Sequence, residues 1–208
     1  QAQSAHLEQL TNGIPELTGP EVARLVVAAT GSPQVLCVGN SNPIRDADLA
    51  PVGAQPGPVY ANRGLSGIDG TLSTAVGIAL AAGVPTTLLC GDLSFVHDVT
   101  ALAIGPGEAR PRLRIVVADD NGGSIFATLE YGRQDYAEAF ERVFATPLDL
   151  DLVALAQGYG VPARRLHSAA ELEAALAEPI LGLDVLVVTV DRRQRASITG
   201  NMVVPSRP

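Results

Sequence analysis

The sequence predicts an α/β fold, a parallel sheet of about six strands with helices on both faces. Three observations predict it. Short apolar runs rich in β-branched residues, as at 86–90, 113–118 and 184–190, are each bounded by glycine, proline or aspartate. Those runs are almost continuously apolar, which marks strands covered on both faces. Strand-like and helix-like segments then follow one another in turn, the order that parallel sheets with crossover helices require.

Residues 1–19 read as an N-terminal arm or linker, and 20–208 as one domain. Thr18-Gly19-Pro20-Glu21 has the form of a capping box, with Thr18 as N-cap of a helix running to about residue 29. Gly31-Ser32-Pro33 ends that helix. Residues 35–38 form a strand that runs out into Gly39-Asn40-Ser41, and the proline-rich stretch 43–57 is expected to be an irregular surface loop. A second strand at 59–61 leads into the glycine-rich segment 62–70. Residues 71–82 make a helix whose small side chains let it lie close to the sheet. The third strand, 86–90, is followed by a helix at 95–104 that Gly105-Pro106-Gly107 breaks, and 113–118 is the fourth strand. Helices are expected at 135–144 and 150–157, the second closed by Gly158-Tyr159-Gly160. A short strand at 163–166, a second capping box at Ser168-Ala169-Ala170-Glu171 opening a helix to about residue 178, and a last strand at 184–190 complete the pattern.

Composition narrows the function classes. A chain of 208 residues is long enough for one sizeable core. Its net charge of −8 argues against nucleic acid as a partner, and Arg192-Arg193-Gln194-Arg195 is the nearest approach to a basic run. Cys37 and Cys90 lie inside apolar runs and read as buried free thiols. No run is apolar enough to span a bilayer and no secretory signal opens the chain, so a cytoplasmic location is expected. The first residue is Gln1, so the chain reads as processed or as a piece of something longer. The three histidines, His6, His97 and His167, are scattered rather than clustered for zinc. Neither a P-loop, a dinucleotide-binding Gly-x-Gly-x-x-Gly after a strand, nor a Gly-x-Ser-x-Gly elbow is present.

Two loops remain. Gly91-Asp92-Leu93-Ser94 follows the third strand, and Asp119-Asp120-Asn121-Gly122-Gly123 follows the fourth. Each alone is an ordinary turn composition. Separated by one strand–helix–strand unit, they fall at the same edge of a parallel sheet, where ligands of such folds bind. Carboxylates, an amide and bare backbone carbonyls there can hold a hard divalent cation, and Mg²⁺ so bound keeps phosphate oxygens in its shell. The pair points to a metal-bridged diphosphate site.

The pair resembles the motif of thiamine-diphosphate enzymes. Gly39-Asn40-Ser41, the segment 62–70, Gly91-Asp92-Leu93-Ser94 and Asn121-Gly122-Gly123-Ser124-Ile125-Phe126, in that order, are most similar to the menaquinone-pathway synthases of that family. The resemblance covers nearly the whole chain, as the diphosphate-binding domain. It implies thiamine diphosphate and Mg²⁺ (Mn²⁺ also fits) as cofactors. It implies a transferase that decarboxylates 2-oxoglutarate and joins the four-carbon product to isochorismate by conjugate addition. Another 2-oxo-acid decarboxylase or acetolactate-type synthase, or a non-catalytic domain of this fold, are the alternatives.

The resemblance also assigns roles. The metal falls to Asp92, Asp120 and the Gly122 carbonyl, or in the other register to Asn121 and Gly123. The cofactor falls to Asn40, Ser66, Gly67, Ile68, Gly91, Leu93, Ser94, Ile125, Phe126 and Leu129. Ile68 is expected to prop it, and Ser94 with the following helical turn to donate to the diphosphate; the alternative for Ser94 is a helix N-cap. Ser41, Arg45 and Arg63 are the candidates for substrate carboxylates, since an acidic protein needs local cations for dianions. Two departures stand out: Leu93 replaces a glycine, and Asp119-Asp120 replaces Asn-Asn. In the family an activating glutamate comes from a separate domain on a partner subunit. The chain alone is therefore expected to be inactive, with the rest of its polypeptide and a homodimer or homotetramer as partners.

Overall fold

The computed structural model describes residues 17–50, 57–195 and 198. The expected architecture is present. Helix α1 (Gly19–Ala29) precedes β1 (Val35–Val38), α2 (Asn42–Leu49), β2 (Val59–Tyr60), α3 (Thr71–Ala82) and β3 (Thr86–Gly91). Then come α4 (Asp92–His97), β4 (Leu113–Asp119), α5 (Ala137–Phe140), α6 (Leu152–Gly158), β5 (Ala163–Leu166), α7 (Ala169–Ala177) and β6 (Leu183–Thr189). The six strands are ordered β2-β1-β3-β4-β6-β5, and every pairing is parallel.

The alternation of side chains across each strand explains the unbroken apolar runs. Val35 and Cys37, Leu88 and Cys90, and Ile115 and Val117 point to one face, where they meet Leu72, Ala75 and Ala79 of α3 together with Phe95 and Leu152. Leu36, Val38, Leu89, Val116 and Leu186 point to the other, against Val22, Leu25 and Val26 of α1 and Leu172 of α7. Both cysteines are buried free thiols. Both capping boxes form on their first hydroxyl: Thr18 Oγ1 accepts from the Glu21 N–H at 3.4 Å, and Ser168 Oγ from the Glu171 N–H at 3.2 Å. Leu17 is 4 % exposed and packs in the second cluster, so the core reaches at least that far back along the chain.

Three expectations are corrected. The first part of the proline-rich stretch 43–57 is helical: α2 carries Pro43 in its first turn, where a missing N–H leaves no bond unmade and the fixed φ suits a helix. Residues 51–56 of that stretch lie outside the described residues. The helix expected at 95–104 starts earlier, at Asp92 directly off β3, and stops at His97; a 3₁₀ turn, Val99–Leu102, continues it. The break falls at Asp98, whose carboxylate accepts from the Ser73 N–H at 2.6 Å and the Ser73 hydroxyl at 2.9 Å. It thereby satisfies a first-turn N–H of α3 that has no partner within the helix. The helix expected at 135–144 is instead a 3₁₀ turn (Gln134–Tyr136), the single turn of α5 and a π turn (Glu141–Ala145). Aromatic packing shapes it: Tyr131 stacks on Phe144 with centroids 4.4 Å apart, and Phe144 lies 6.0 Å from Phe126.

Arg114, within the apolar run of β4, is 2 % exposed. Its fork grips Asp184 through Nε (3.1 Å) and Nη2 (2.8 Å), while Nη1 donates to the carbonyls of Ala175 (2.6 Å) and Glu178 (3.0 Å). The guanidinium thus closes the C-terminal end of α7, whose last carbonyls lack helical partners, and ties that helix to β4 and β6. Replacing it by alanine strips Asp184 of the Arg114 guanidinium and removes the Arg114 donor from the Glu178 carbonyl, while the Ala175 carbonyl keeps only the Glu178 N–H at 3.3 Å. Arg114→Ala is expected to cost about 3 kcal/mol in urea unfolding, and Arg114→Lys to recover only part of it, because an ammonium cannot reproduce the fork.

Candidate functional site

In the strand order, β1 is flanked by β2 on one side and β3 on the other, so the chain leaves β1 and returns beside it by crossovers on opposite faces. Helix α2 after β1 packs on the α1 face through Ile44 and Ala47, while α3 and Phe95 of α4 cover the other. The loops diverge there and open a crevice beyond the carboxyl ends of β1, β3 and β4. A cavity of about 320 Å³ occupies it.

Each strand end contributes to the wall. From β1 come Asn40 and Ser41; from the loop after β2, Ser66 and Ile68; from β3, Gly91, Asp92, Leu93 and Ser94; from β4, Asp120, Gly122, Gly123, Ile125 and Phe126. Of the residues singled out in the sequence, Arg45, Arg63, Gly67, Asn121 and Leu129 stand outside this wall. Two of them brace it. Asn40, 1 % exposed, donates through Nδ2 to the Gly67 carbonyl at 2.6 Å and accepts from Arg63 Nη1 at 2.7 Å. Arg45 Nη1 donates to the Ser41 carbonyl at 2.5 Å. Leu129 is 49 % exposed. Ser94 occupies the third position of α4, with Gly91 as N-cap, so its N-cap alternative does not hold.

The two acidic loops meet at one end of the cavity. Asp92, 8 % exposed, accepts from the Leu93 N–H at 2.8 Å and, across the gap between strands, from the Gly122 N–H at 2.7 Å. Asp120 is half-buried and accepts from the Ser124 hydroxyl. Asp119 turns away and pairs with Arg165 at 2.6 Å, as the alternation of a strand demands. Asn121, exposed and at φ +53°, turns its side chain to Asp149, donating through Nδ2 at 2.6 Å. The β4 loop is built tightly around its glycines. A Cβ at Gly122, where φ is +136°, would lie 2.4 Å from the Ala145 carbonyl oxygen; one at Gly123 would lie 2.7 Å from that of Phe144. Ser41 (φ +71°) and Ser66 (φ +57°) in the cavity wall also hold positive φ, as Thr146 and Asp149 do outside it.

Several residues at the site carried no assignment in the sequence reading. Asn42 donates through Nδ2 to Ser124 Oγ at 2.7 Å, a contact between residues 82 positions apart that no local pattern signals. Asp46 and Arg195 form a buried pair at the cavity wall, with Arg195 Nη1 at 2.6 and 2.8 Å from the two carboxylate oxygens. Arg192 donates to the Asn121 carbonyl at 3.2 Å and to Glu141 at 2.6 Å. Among the described residues, no group of three or more histidine, cysteine or acidic side chains gathers for a metal; the acidic component here is a pair.

That pair sets the electrostatics. Burial, then the charge of Asp120, pushes the Asp92 carboxyl up to about 7, against the pull of the Leu93 and Gly122 N–H groups. Burial pushes Asp120 up to about 6, while the Ser124 hydroxyl and the charges of Arg195 and Arg192 pull it down. A carboxyl whose folded value lies above its unfolded one holds a proton in the native state that the unfolded chain has released, so stability falls as pH rises between the two values. Without added divalent cation, unfolding free energy is therefore expected to drop by on the order of 5 kcal/mol between pH 4 and pH 7, with Asp46, which burial pushes up to about 6, contributing alongside the pair. Urea titrations across that range check it, and the drop should shrink in Asp120→Asn.

Comparison with known proteins agrees with this geometry. Residues 48–190 match the family model of the thiamine pyrophosphate enzyme, C-terminal TPP binding domain. A 2-succinyl-5-enolpyruvyl-6-hydroxy-3-cyclohexene-1-carboxylate synthase of Nocardioides sp. strain JS614 is 49 % identical over 95 % of this chain and 38 % of its own length. The synthase of the same name from Paenarthrobacter aurescens is 50 % identical over 76 % of this chain and 29 % of its own. The chain thus spans roughly a third of the length of these curated relatives. Among solved structures, benzoylformate decarboxylase from Polynucleobacter necessarius superimposes with a TM-score of 0.69 over 86 % of this chain and 34 % of that one, at 22 % identity, a likeness of fold. By its family match, its strand order and its paired acidic loops, the chain belongs to the thiamine pyrophosphate enzymes, as their C-terminal TPP-binding domain.

Proposed function

We propose that this chain is the diphosphate-binding part of a 2-succinyl-5-enolpyruvyl-6-hydroxy-3-cyclohexene-1-carboxylate synthase. Such an enzyme decarboxylates 2-oxoglutarate and adds the remaining four-carbon unit to isochorismate, with thiamine diphosphate and Mg²⁺ as cofactors. The observation that supports it best is the juxtaposition of Asp92 and Asp120, two carboxylates raised well above their ordinary range, at the end of a cavity with apolar walls. The names of the relatives point the same way.

The residues present fit the cofactor. Two acidic side chains and a backbone carbonyl are hard oxygen donors of the kind Mg²⁺ takes, and a bound cation would offset the burial that raises both carboxyls. A Cβ at Gly91 would meet no protein atom within 4 Å, so the backbone there is open to close approach by a ligand. Asp92, Asp120 and the Gly122 carbonyl would hold the metal in this reading, and Leu93 and Ser94 at the start of α4 would face the diphosphate. Asn40, Ser66, Gly67 and Ile68 hold the ring portion from the β1–β2 side. Ile125 and Phe126, with Leu129 beyond them, keep water from the reacting end. When bound, thiamine diphosphate supplies the electron sink that decarboxylation of a 2-oxo acid needs.

The chain's own part in turnover is to bind, orient and exclude water. Ser41, Arg45 and Arg63 receive substrate carboxylates. Arg45 and Arg63 each spend one N–H group on the frame, on Ser41 and Asn40 respectively, which fixes the guanidinium and leaves further donors of the fork for an anion. The activating glutamate, the rest of the polypeptide and a homodimeric or homotetrameric assembly complete the enzyme in this reading.

The test uses the full-length protein that contains this chain. Product formation should require 2-oxoglutarate, isochorismate, thiamine diphosphate and Mg²⁺ together. Turnover with pyruvate or benzoylformate instead would favour another branch of the family, and calorimetry showing no Mg²⁺-dependent cofactor binding would favour a non-catalytic domain. Arg45→Ala is expected to raise the KM for 2-oxoglutarate about tenfold or more with cofactor affinity little changed, whereas Asp92→Ala should abolish Mg²⁺-dependent cofactor binding.

A further inference from the structure

We infer that Asn42 and Ser124 are positioning residues that hold the Asp120 carboxylate for the divalent cation and couple it mechanically to the Ser41–Arg45 turn. The inference rests on the function proposed above and adds two residues to which that reading gives no role.

The argument turns on one proton. Ser124, 4 % exposed, donates its hydroxyl hydrogen to Asp120 Oδ2. A hydroxyl has only one hydrogen, so its remaining contact must come from a donor. Asn42 supplies it, with Nδ2 at 2.7 Å from Ser124 Oγ. This fixes the orientation of the amide, because the reverse orientation would set two oxygens face to face with no hydrogen between them. The fixed orientation has a visible cost: Asn42 Oδ1 is buried with no hydrogen-bond partner among the described residues. Buried acceptors in that condition are uncommon. Here it follows from committing the amide N–H to Ser124, and through Ser124 to Asp120.

The other end of the relay is equally constrained. Asn42 is the first residue of α2, immediately after Ser41 at φ +71°. Arg45, one turn along, donates back to the Ser41 carbonyl at 2.5 Å. The path from Arg45 through Ser41, Asn42 and Ser124 to Asp120 therefore runs through short hydrogen bonds and one rigid helix start. A carboxylate held this way presents its second oxygen in a fixed direction.

The experiment titrates thiamine diphosphate calorimetrically into the full-length protein at a series of Mg²⁺ concentrations. Ser124→Ala is expected to raise the Mg²⁺ concentration for half-saturation about tenfold, and Asn42→Leu about threefold. The double variant should be no worse than Ser124→Ala alone, because the two act in series. Ser124→Thr, which keeps the hydroxyl, should lie within about twofold of the parent. Thermal midpoints measured without cation separate these effects from loss of folding, and Asn42→Leu gives an independent reading should Ser124→Ala fail to fold. Parental Mg²⁺ dependence in both single variants, or additive effects in the double, would overturn the inference alone. A parent protein that binds no cofactor at any Mg²⁺ concentration would overturn the proposed function and this inference with it.

Discussion

The constraint on which the site depends is the enforced approach of two carboxylates. Parallel pairing sets Cys90 beside Val117 and Gly91 beside Ala118, so the next residues of each strand must emerge at one level. Asp92 emerges there opposite Asp119, which turns away to Arg165, and Asp120 follows one residue further on, with the Gly122 N–H donating across the gap to Asp92. Burial raises both carboxyls above their ordinary range, and the nearby charge of Asp120 adds to the rise at Asp92. The register cannot slip to relieve them, since a one-residue shift would turn Ile115 and Val117 out of one core and Val116 out of the other. The fold thus holds an electrostatic tension that only a proton or a cation can release.

Neighbouring elements share the task of making that tension tolerable. Arg192 and Arg195 follow β6, which lies beside β4 in the sheet, so the strand order itself brings two guanidinium groups to Asp120. Arg195 is committed to Asp46 of α2, and Arg192 to the Asn121 carbonyl and Glu141. Each arginine therefore acts on Asp120 through space while its hydrogen bonds lie elsewhere. In an acidic chain this local placement of cations matters more than the net charge of −8.

Most of the fold was legible because its signals are local. The strands 35–38 and 163–166, the helix 71–82 and both capping boxes depend on neighbours in sequence, and they fall where expected. The misreadings are places where distant contacts decide. Proline 43 reads as a breaker until α2 is seen to begin at Asn42. The helix after β3 looks longer than it is because its terminator, Asp98, binds Ser73 of another helix. The stretch 135–144 has helical composition, but packing of Phe144 on Tyr131 and Phe126 bends it through three kinds of turn. At the site the same division applies. The acidic loops announce themselves by spacing, whereas Asn42, Ser124, Asp46 and Arg195 meet their partners only after the sheet has assembled.

The carboxylate at position 120, where the resemblance implies an amide, is easier to understand in that setting than in isolation. An amide at this position would accept from Ser124 but would bring no charge, and Arg192 and Arg195 would then face a cavity with one fewer anion. The carboxylate, by contrast, is pulled down by both arginines and by the Ser124 hydroxyl, even as burial pushes it up. Burial is the largest influence and leaves the Asp120 carboxyl at about 6, within reach of neutral pH. Asp92 lacks such compensation: its only downward pulls are two backbone N–H groups, and its carboxyl is correspondingly the higher of the two. Asp92 thus depends more than Asp120 on an outside partner, a proton or a cation, to offset its burial.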